Sequence, residues 1–159
     1  MMERKRYAHS AGACNFHMQF TPKYRKNVFA IRAVRELCRV VIKEKARKLG
    51  IEIEAIEYGP DHVHLFLSDC KNYSVAKIAQ ELKGYSSYKI RKNLGKTIKP
   101  FLWGDQFWSD GYFHESIGEI TSETVEHYIE RQQEKHWQSK STNLNETSRL
   151  GQQTLERYT

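Results

Sequence analysis

The feature that most constrains the fold of this chain is a pair of strand-like segments at its centre. Residues 51–58 read IEIEAIEY, an alternation of apolar and charged residues that is typical of a strand with one buried face. The sequence GPD at residues 59–61 favours a turn, and HVHLFLS follows at once over residues 62–68. We therefore predict a β-hairpin, or two neighbouring strands, in the middle of the protein.

Helical patterns flank this centre. Apolar residues between Val28 and Leu49 recur at helical spacing, and Gly50 provides a stop signal. Ser74 is a candidate N-cap for a second helix that ends before Gly95. The remaining predicted elements are a first strand within residues 11–20, an aromatic-rich strand over 107–117 with a kink at Gly111, and a last helix from Thr121 or Ser122 to about Trp137.

Together these elements predict the order βαββαβα. Two β-α-β halves indicate an α/β (α+β) domain with a ferredoxin-like, or RRM-like, split βαβ antiparallel sheet, helices on one face and a C-terminal helix. A chain of 159 residues fits one such core. We expect the domain to occupy residues 1–137 and residues 138–159 to form a polar tail, because that segment has few apolar residues.

The charge of the chain favours a polyanionic partner. Lys and Arg number 26 against 19 for Asp and Glu, which gives a net charge of +7. The excess is concentrated in residues 1–49, which hold 13 basic and 3 acidic side chains. Such an uneven distribution is typical of a binding face. A hydrophobic fraction of 39% excludes a wholly disordered chain.

The three cysteines, Cys14, Cys38 and Cys70, predict a reducing environment. They are odd in number, far apart and without a CxxC pair, which disfavours a disulfide framework and a zinc ribbon. No apolar run has the length of a signal peptide core or a membrane span. We expect a cytoplasmic protein that is neither exported nor membrane-spanning.

The sharpest local signal is the sequence His62-Val63-His64. Alternate residues of a strand point to the same side, so the two imidazoles should lie together while Val63 faces the core. Two neutral imidazoles can chelate a divalent metal ion. The alternative interpretation is that this spacing arises by chance and the rings simply lie on the wet face of a sheet.

The last predicted helix offers a third polar group. Tyr128 and Gln132 are four residues apart and therefore share a helix face, in line with the apolar residues Val125 and Ile129. A buried glutamine amide needs a partner, which is either a metal ion bound by its carbonyl oxygen or a backbone hydrogen bond. Tyr128, taken alone, is also compatible with a place in the core or in an interface.

Basic and aromatic residues are candidates for binding nucleic acid. Basic side chains that would neutralise phosphates follow the first strand and cluster around the second helix: Lys23, Arg25, Lys26, Lys83, Lys89, Arg91 and Lys92. Aromatic side chains that would either stack on unpaired bases or belong to the core are Tyr85, Tyr88, Trp103, Phe107 and Trp108.

Four segments give the chain a resemblance to a known family. The chain resembles the single-tyrosine HUH transposases, the small insertion-sequence transposases of the IS200/IS605 type, over about residues 9–137. The segments that carry the resemblance are, in chain order, NFHMQFTPKYRK, GPDHVHLFLS, FWSDGYFHES and VEHYIERQ. The family's two metal-binding histidines, separated by one hydrophobic residue, fall on His62 and His64. Its nucleophile in the Y-x-x-x-Q pattern falls on Tyr128, and its third metal ligand falls on Gln132.

The resemblance implies a transposase that cleaves and rejoins single-stranded DNA at insertion-sequence ends through a 5′-phosphotyrosine on Tyr128. It implies Mg²⁺ or Mn²⁺ as the cofactor and DNA hairpins at the element ends as the partner. It also implies a homodimer in which the tyrosine helix of one subunit completes the metal site of the other. A hinge at Gly118 would allow that exchange without strain.

Two other interpretations stay open. A non-catalytic, RRM-like nucleic-acid-binding module would use the sheet face and the basic helix, with the histidines incidental. Another HUH nickase, acting in replication or conjugation or domesticated to act on repeated palindromes, would share the same site.

Further polar residues match no position of the catalytic pattern. We interpret His9, His17, His114 and His136 as ordinary polar or core residues. Asp61, directly before the histidine strand, either orients a metal ligand or merely completes the turn.

Overall fold

The computed structural model describes residues 6–7, 10–11 and 14–131. These residues divide into two compact units, one that ends at Ile120 and one that begins at Thr121. Within the described residues, no helix is both long enough and apolar enough to cross a membrane. The predicted polar tail at residues 138–159 and the candidate ligand Gln132 lie outside them.

The first unit contains two sheets and two long helices. Its elements are β1 (Arg6–Tyr7), β2 (Ser10–Ala11), β3 (Asn15–Phe20), α1 (Arg32–Leu49), β4 (Glu52–Gly59), β5 (His62–Ser68), α2 (Val75–Ile98) and β6 (Phe113–Ile117), with short 3-10 turns at Lys23–Arg25, Val28–Ala30 and Cys70–Asn72. Strands β1 and β2 form a two-stranded antiparallel sheet that the sequence did not indicate. The other four strands form one antiparallel sheet in the order β4-β5-β3-β6, which is the predicted split βαβ arrangement.

Both helices pack on one face of the four-stranded sheet. The core combines alternate residues of β3 and β5 with one stripe of each helix: Met18, Phe20, Val63, Leu65 and Leu67 from the strands, Val34, Cys38 and Ile42 from α1, and Ile78, Leu82 and Ile90 from α2. Because strand side chains alternate, the intervening residues of β3 and β5 lie on the opposite face. That second face carries the histidines.

The ends of the helices follow local signals. Gly50 adopts the left-handed conformation (φ 73°) and donates its N–H to the last turn of α1, as its stop signal predicted. The Ser74 hydroxyl accepts a hydrogen bond from the Lys77 N–H at 3.1 Å and so caps α2. The predicted end of α2 before Gly95 is wrong, since the helix continues to Ile98. Burial of Ile98 at 3% exposure stabilises this last turn, although Leu94 departs from helical geometry (φ −124°).

The predicted aromatic strand over residues 107–117 is shorter than expected. Only its second half, β6, pairs with β3, while Trp108 makes a single bridge to Pro22. The ammonium of Lys83 donates to the carbonyl oxygens of Ser109 (2.6 Å), Asp110 (3.2 Å) and Gly111 (3.3 Å). Since these carbonyls bind a side chain, the segment forms a loop instead of a strand.

The second unit begins with a capped helix. Residues 122–131 are helical, and we call this described part α3. The Thr121 hydroxyl accepts a hydrogen bond from the Thr124 N–H (3.2 Å), and the Thr124 hydroxyl accepts one from the Thr121 N–H (2.7 Å). This reciprocal capping agrees with the helix start predicted at Thr121 or Ser122. The predicted extension to Trp137 falls outside the described residues.

Candidate active site

A tight hairpin positions the two histidines. Strands β4 and β5 are joined by the two residues Pro60 and Asp61, and Gly59 lies opposite His62 in the register. Because β5 lies between β4 and β3, His64 is central in the sheet, whereas His62 begins the strand. The two rings lie side by side, with centroids 4.9 Å apart and planes at 84°. Strand alternation thus brings both imidazoles to the face opposite the helices.

His64 is held by a buried chain of hydrogen bonds. Its Nδ1 lies 3.0 Å from Nε2 of His17, and Nδ1 of His17 lies 3.2 Å from Oε1 of Glu115. Both histidines are buried, at 2% exposure for His64 and 0% for His17. His17 also stacks on Phe66, with ring centroids 4.7 Å apart. These contacts fix the plane of the His64 ring.

The same chain determines where the protons lie. The carboxylate of Glu115 only accepts, so Nδ1 of His17 carries the proton and donates it. In neutral His17, Nε2 is then an acceptor, and Nδ1 of His64 must donate to it. The Nε2 atom of His64 keeps its lone pair. This is the tautomer that a metal ion requires.

The surroundings of His64 also keep it uncharged. Burial lowers the pKa of His64 to about 3, and the neighbouring His62 and His17 act in the same direction. At neutral pH the ring is therefore a neutral imidazole with an available nitrogen lone pair.

Asp61 and Arg25 hold the second histidine. Oδ1 of Asp61 lies 2.7 Å from Nδ1 of His62, and Nε of Arg25 donates to Oδ2 of Asp61 at 3.3 Å. Burial opposes the charge on Asp61, but the hydrogen bond with His62 and the charge of Arg25 outweigh it, so the pKa of Asp61 lies below its usual value. Asp61 thus lies in the turn and also orients His62, whose Nε2 is left for a ligand.

Gly59 makes room for the His62 ring. A Cβ atom added at Gly59 would overlap the imidazole, whose Cε1, Nδ1 and Nε2 are the atoms nearest to it. The requirement for glycine here is a close approach of side chain to backbone and not a left-handed backbone.

The donor set fits a divalent cation. Two imidazoles with Nδ1 in hydrogen bonds and Nε2 available are the usual form of metal-ligating histidines, and carboxylates behind such ligands are common. Among residues 14–131, no group of three or more His, Cys, Asp and Glu side chains could hold a metal ion. The predicted third ligand, Gln132, lies outside the described residues.

Tyr128 lies on α3, in the second unit. Its side chain is half-buried, the Arg131 guanidinium lies 5.2 Å from the centroid of its ring, and the His127 ring centroid lies 5.9 Å away. Tyr128 thus has a cation close to its ring.

The predicted nucleic-acid-binding residues have different environments. Lys23, Arg25 and Lys26 lie in the segment after β3, beside the histidine hairpin. Lys89, Arg91 and Lys92 lie on α2, where Arg91 pairs with Asp105 at 3.3 Å. Lys83 differs from the others because its ammonium already donates to three carbonyls.

The aromatic candidates also separate into two groups. Phe107 and Trp108 are buried in the core at 1% and 4% exposure. Trp103 and Tyr88 are exposed, and Tyr85 is half-buried among lysines. Core packing therefore accounts for the first two, and the others are available for ligands.

Sequence reasoning missed the roles of His17 and Glu115. The alternation in NFHMQF places Asn15, His17 and Gln19 on a polar face of β3, and that signal was readable. The contact with His64 depends on the pairing of β3 with β5 and β6, which brings together residues 47 and 98 positions apart. No local pattern reveals such a pairing.

Comparison with known sequences identifies a family. The chain matches a family model described as IS200-like transposase over residues 10–132. It is 31% identical over 137 residues to the transposase for insertion sequence element IS200 of Salmonella typhimurium, covering 84% of this chain and 86% of that protein. It is 29% identical over 120 residues to the ISDra2 transposase TnpA of Deinococcus radiodurans, covering 76% and 84%.

Solved structures have a similar fold. A candidate transposase from Deinococcus radiodurans superimposes with a TM-score of 0.64 and 26% identity, covering 80% of this chain and 97% of that one. A REP-associated tyrosine transposase bound to a REP hairpin gives a TM-score of 0.50 at 17% identity, covering 80% and 68%, which is a likeness of fold. Since the family model spans most of the sequence and the Salmonella relative is 31% identical over 84% of the chain, the chain belongs to the IS200-like family of single-tyrosine HUH transposases.

Proposed function

We propose that this protein cleaves and rejoins single-stranded DNA at the ends of an insertion sequence. In this proposal Tyr128 is the nucleophile, and His62, His64 and Gln132 hold Mg²⁺ or Mn²⁺. The observation that carries the proposal is the pair of imidazoles fixed through Nδ1 with Nε2 available. Membership of the IS200-like family supports it.

The residues of the chain divide the chemistry between them. When bound, a divalent cation would stabilise the negative charge that develops on the scissile phosphate. His17 and Asp61 keep the two imidazoles from rotating away. The Tyr128 oxygen loses its proton and forms a bond to phosphorus, while the bond to the 3′ oxygen breaks and that oxygen takes up a proton. The resulting 5′-phosphotyrosine keeps the energy of the phosphodiester, so attack by another 3′-OH rejoins DNA without ATP.

The proposed DNA is a hairpin-bearing single strand. The basic residues after β3 and on α2 supply positive charge, and the fold is similar to that of a transposase described as bound to a REP hairpin. We further propose a homodimer in which the helix that carries Tyr128 in one subunit completes the metal site of the other. We also propose a cytoplasmic location.

Denaturing electrophoresis tests the chemistry. Labelled single-stranded oligonucleotides covering the DNA that flanks the coding sequence are incubated with protein and Mn²⁺, and the matching duplexes serve as controls. With Mn²⁺ present, we expect a covalent protein–DNA adduct with single-stranded oligonucleotides and none with the duplexes. No adduct should form in the presence of chelator or with Tyr128→Phe. An adduct formed by Tyr128→Phe would exclude this nucleophile. Binding that is insensitive to chelator, with no cleaved strand, would favour the non-catalytic module instead.

A further inference from the structure

Two exposed aromatic rings stack on each other beside the histidine hairpin. Tyr24 and Trp103 are 64% and 70% exposed, with ring centroids 5.8 Å apart and planes at 17°. We call this pair the Tyr24–Trp103 platform. A single exposed aromatic residue is ordinary on a protein surface. Two large rings from distant segments, stacked outside the core, instead present an ordered apolar surface to solvent.

The backbone under Tyr24 is held in an uncommon conformation. Tyr24 and Arg25 are consecutive non-glycine residues in the left-handed region, with φ of 60° and 51°. The Lys23 N–H donates to the Phe107 carbonyl at 2.8 Å, and the Arg25 N–H donates to the Pro22 carbonyl at 2.9 Å. Such conformations persist where the surroundings impose them, and they cluster at binding sites. Here the hydrogen bond from Lys23 to Phe107 joins the Tyr24 loop to the loop that bears Trp103.

Two lysines flank the platform. Nζ of Lys23 lies 5.8 Å from the centroid of the Tyr24 ring, and Nζ of Lys26 lies 6.0 Å from that of Trp103. Lys23 also donates to Oε1 of Gln106 at 2.7 Å, which ties the two loops together. Aromatic rings beside lysines suit a strand that offers a base and its adjacent phosphates.

The platform is linked to His62 through Arg25 and Asp61. Arg25, the neighbour of Tyr24, donates to Asp61 at 3.3 Å, and Asp61 in turn lies 2.7 Å from Nδ1 of His62. These contacts place the Tyr24 loop beside the His62 end of the hairpin, so that one DNA strand can reach both. This proximity distinguishes the platform from Tyr88, whose exposed ring has Lys92 beside it but no ring partner in the part of the chain that the structure describes.

We propose that the Tyr24–Trp103 platform binds one unpaired base of the single-stranded DNA substrate, next to the cleavage position. The identity of the nucleic acid rests on the proposed function, whereas the stacking itself does not require any chemistry. Stacked aromatic rings accept any base, because every base has a π-face. The platform would therefore contribute to affinity for single strands and discriminate against duplex, whose bases already stack on one another.

Tryptophan fluorescence tests this proposal directly. Single-stranded oligothymidylate is titrated, without divalent metal, into the full chain carrying Tyr128→Phe. Of the three tryptophans, Trp103 is exposed, Trp108 is buried at 4% exposure and Trp137 lies outside the described residues. Stacking on the platform should quench the emission of Trp103, so the part of the quenching that Trp103→Leu removes reports it. We expect Tyr24→Ala to weaken binding about tenfold or more, in line with the usual contribution of one stacked base. Trp103→Leu should weaken binding similarly and remove the quenching, and Tyr24→Phe should keep both.

Matched controls exclude indirect effects. Val40→Ala removes an exposed apolar side chain of similar accessibility (60%), to which no binding role is assigned, and should leave affinity unchanged. Melting temperatures of Tyr24→Ala and Trp103→Leu close to that of the parent would show that the fold is kept. The proposal is overturned if both variants bind oligothymidylate like the parent, if Val40→Ala weakens binding equally, or if the oligothymidylate–oligoadenylate duplex quenches Trp103 as strongly as the single strand.

The outcome is independent of the cleavage assay. If the platform proposal fails, quenching is absent while the Tyr128-dependent adduct still forms. If the proposed function fails, oligothymidylate still quenches Trp103 although no adduct forms under any condition.

Discussion

At the scale of single residues, two carboxylates orient the two imidazoles by different routes. Asp61 contacts His62 directly at 2.7 Å, whereas Glu115 acts on His64 through the intervening ring of His17. The indirect route suits a buried position, because a carboxylate placed next to His64 would itself need desolvation. His17 is thus a positioning residue for the proposed metal ligand.

Replacement of His17 should weaken metal binding without unfolding the protein. His17→Leu removes the acceptor for Nδ1 of His64, so the ring loses its fixed tautomer. We expect the affinity for Mn²⁺, measured by calorimetry, to fall about 10- to 100-fold. His17→Gln offers a carbonyl oxygen as acceptor and should recover part of the loss. Equal Mn²⁺ affinity in His17→Leu and the parent would contradict the positioning role.

Gly59→Ala should displace the His62 ring. The added methyl group would occupy the space of the imidazole, which can only rotate away from it. We expect a folded protein with reduced Mn²⁺ binding and little metal-dependent adduct. Gly84→Ala is the matched control, since a Cβ atom there has no neighbour within 4 Å. It should keep binding and, being within α2, stabilise the helix by up to about 1 kcal/mol.

At the scale of elements, Lys83 links α2 to the loop that precedes β6. Burial lowers the pKa of its ammonium, which nevertheless holds three carbonyls. Lys83→Met should therefore lower the free energy of unfolding, measured in urea, by about 1–3 kcal/mol. Lys92→Met, on the exposed side of the same helix, should change it by less than about 0.5 kcal/mol. Unchanged stability together with weaker DNA binding in Lys83→Met would instead assign this lysine to phosphate contacts.

The packing of α1 makes stability fall in alkaline solution. Burial raises the pKa of the Cys38 thiol from 9.0 to about 12, so the folded protein keeps this proton where the unfolded chain loses it. Stability from this group is complete below pH 9 and is lost as the pH rises towards 12. We expect a loss of about 1.4 kcal/mol per pH unit in that window. Cys38→Ala should be less stable at pH 8 but show a shallower decline, and parallel declines would contradict this assignment.

The predictable parts of the fold are those with local signals. Periodicity revealed α1, α2 and the pair β4–β5, because burial of one face imposes it on the sequence. The loop before β6 was predicted as a strand because aromatic residues favour strands. The hydrogen bonds that Lys83 donates to its carbonyl oxygens are long-range contacts, which no local pattern reveals. The histidine pair was likewise visible within three residues, whereas His17 and the partnership of Tyr24 with Trp103 depend on tertiary packing.

At the scale of the whole molecule, the proposed active site combines residues of two compact units. The histidines belong to the unit that ends at Ile120, and Tyr128 belongs to the unit that begins at Thr121. A site divided in this way can be assembled within one subunit or between two. The proposed homodimer uses the second arrangement.

Mixing of two inactive variants distinguishes these arrangements. His62→Ala keeps the nucleophile but lacks a metal-binding histidine, and Tyr128→Phe keeps the histidines but lacks the nucleophile. Neither variant should therefore form an adduct alone. Subunits that exchange α3 should regain activity when mixed, because the tyrosine of one copy then meets the histidines of the other. We expect the covalent adduct on the His62→Ala chain, identified by a size tag on denaturing gels. No adduct after subunit exchange would place the site within one subunit.

Strand β5 serves folding and chemistry with alternate residues: Val63, Leu65 and Leu67 build the core, and His62 and His64 form the candidate site on the other face. Insertion or deletion of one codon within this strand would exchange the two sets, with imidazoles among the helices and leucines towards water. A change of register in this strand therefore cannot remove the candidate site and leave the core intact.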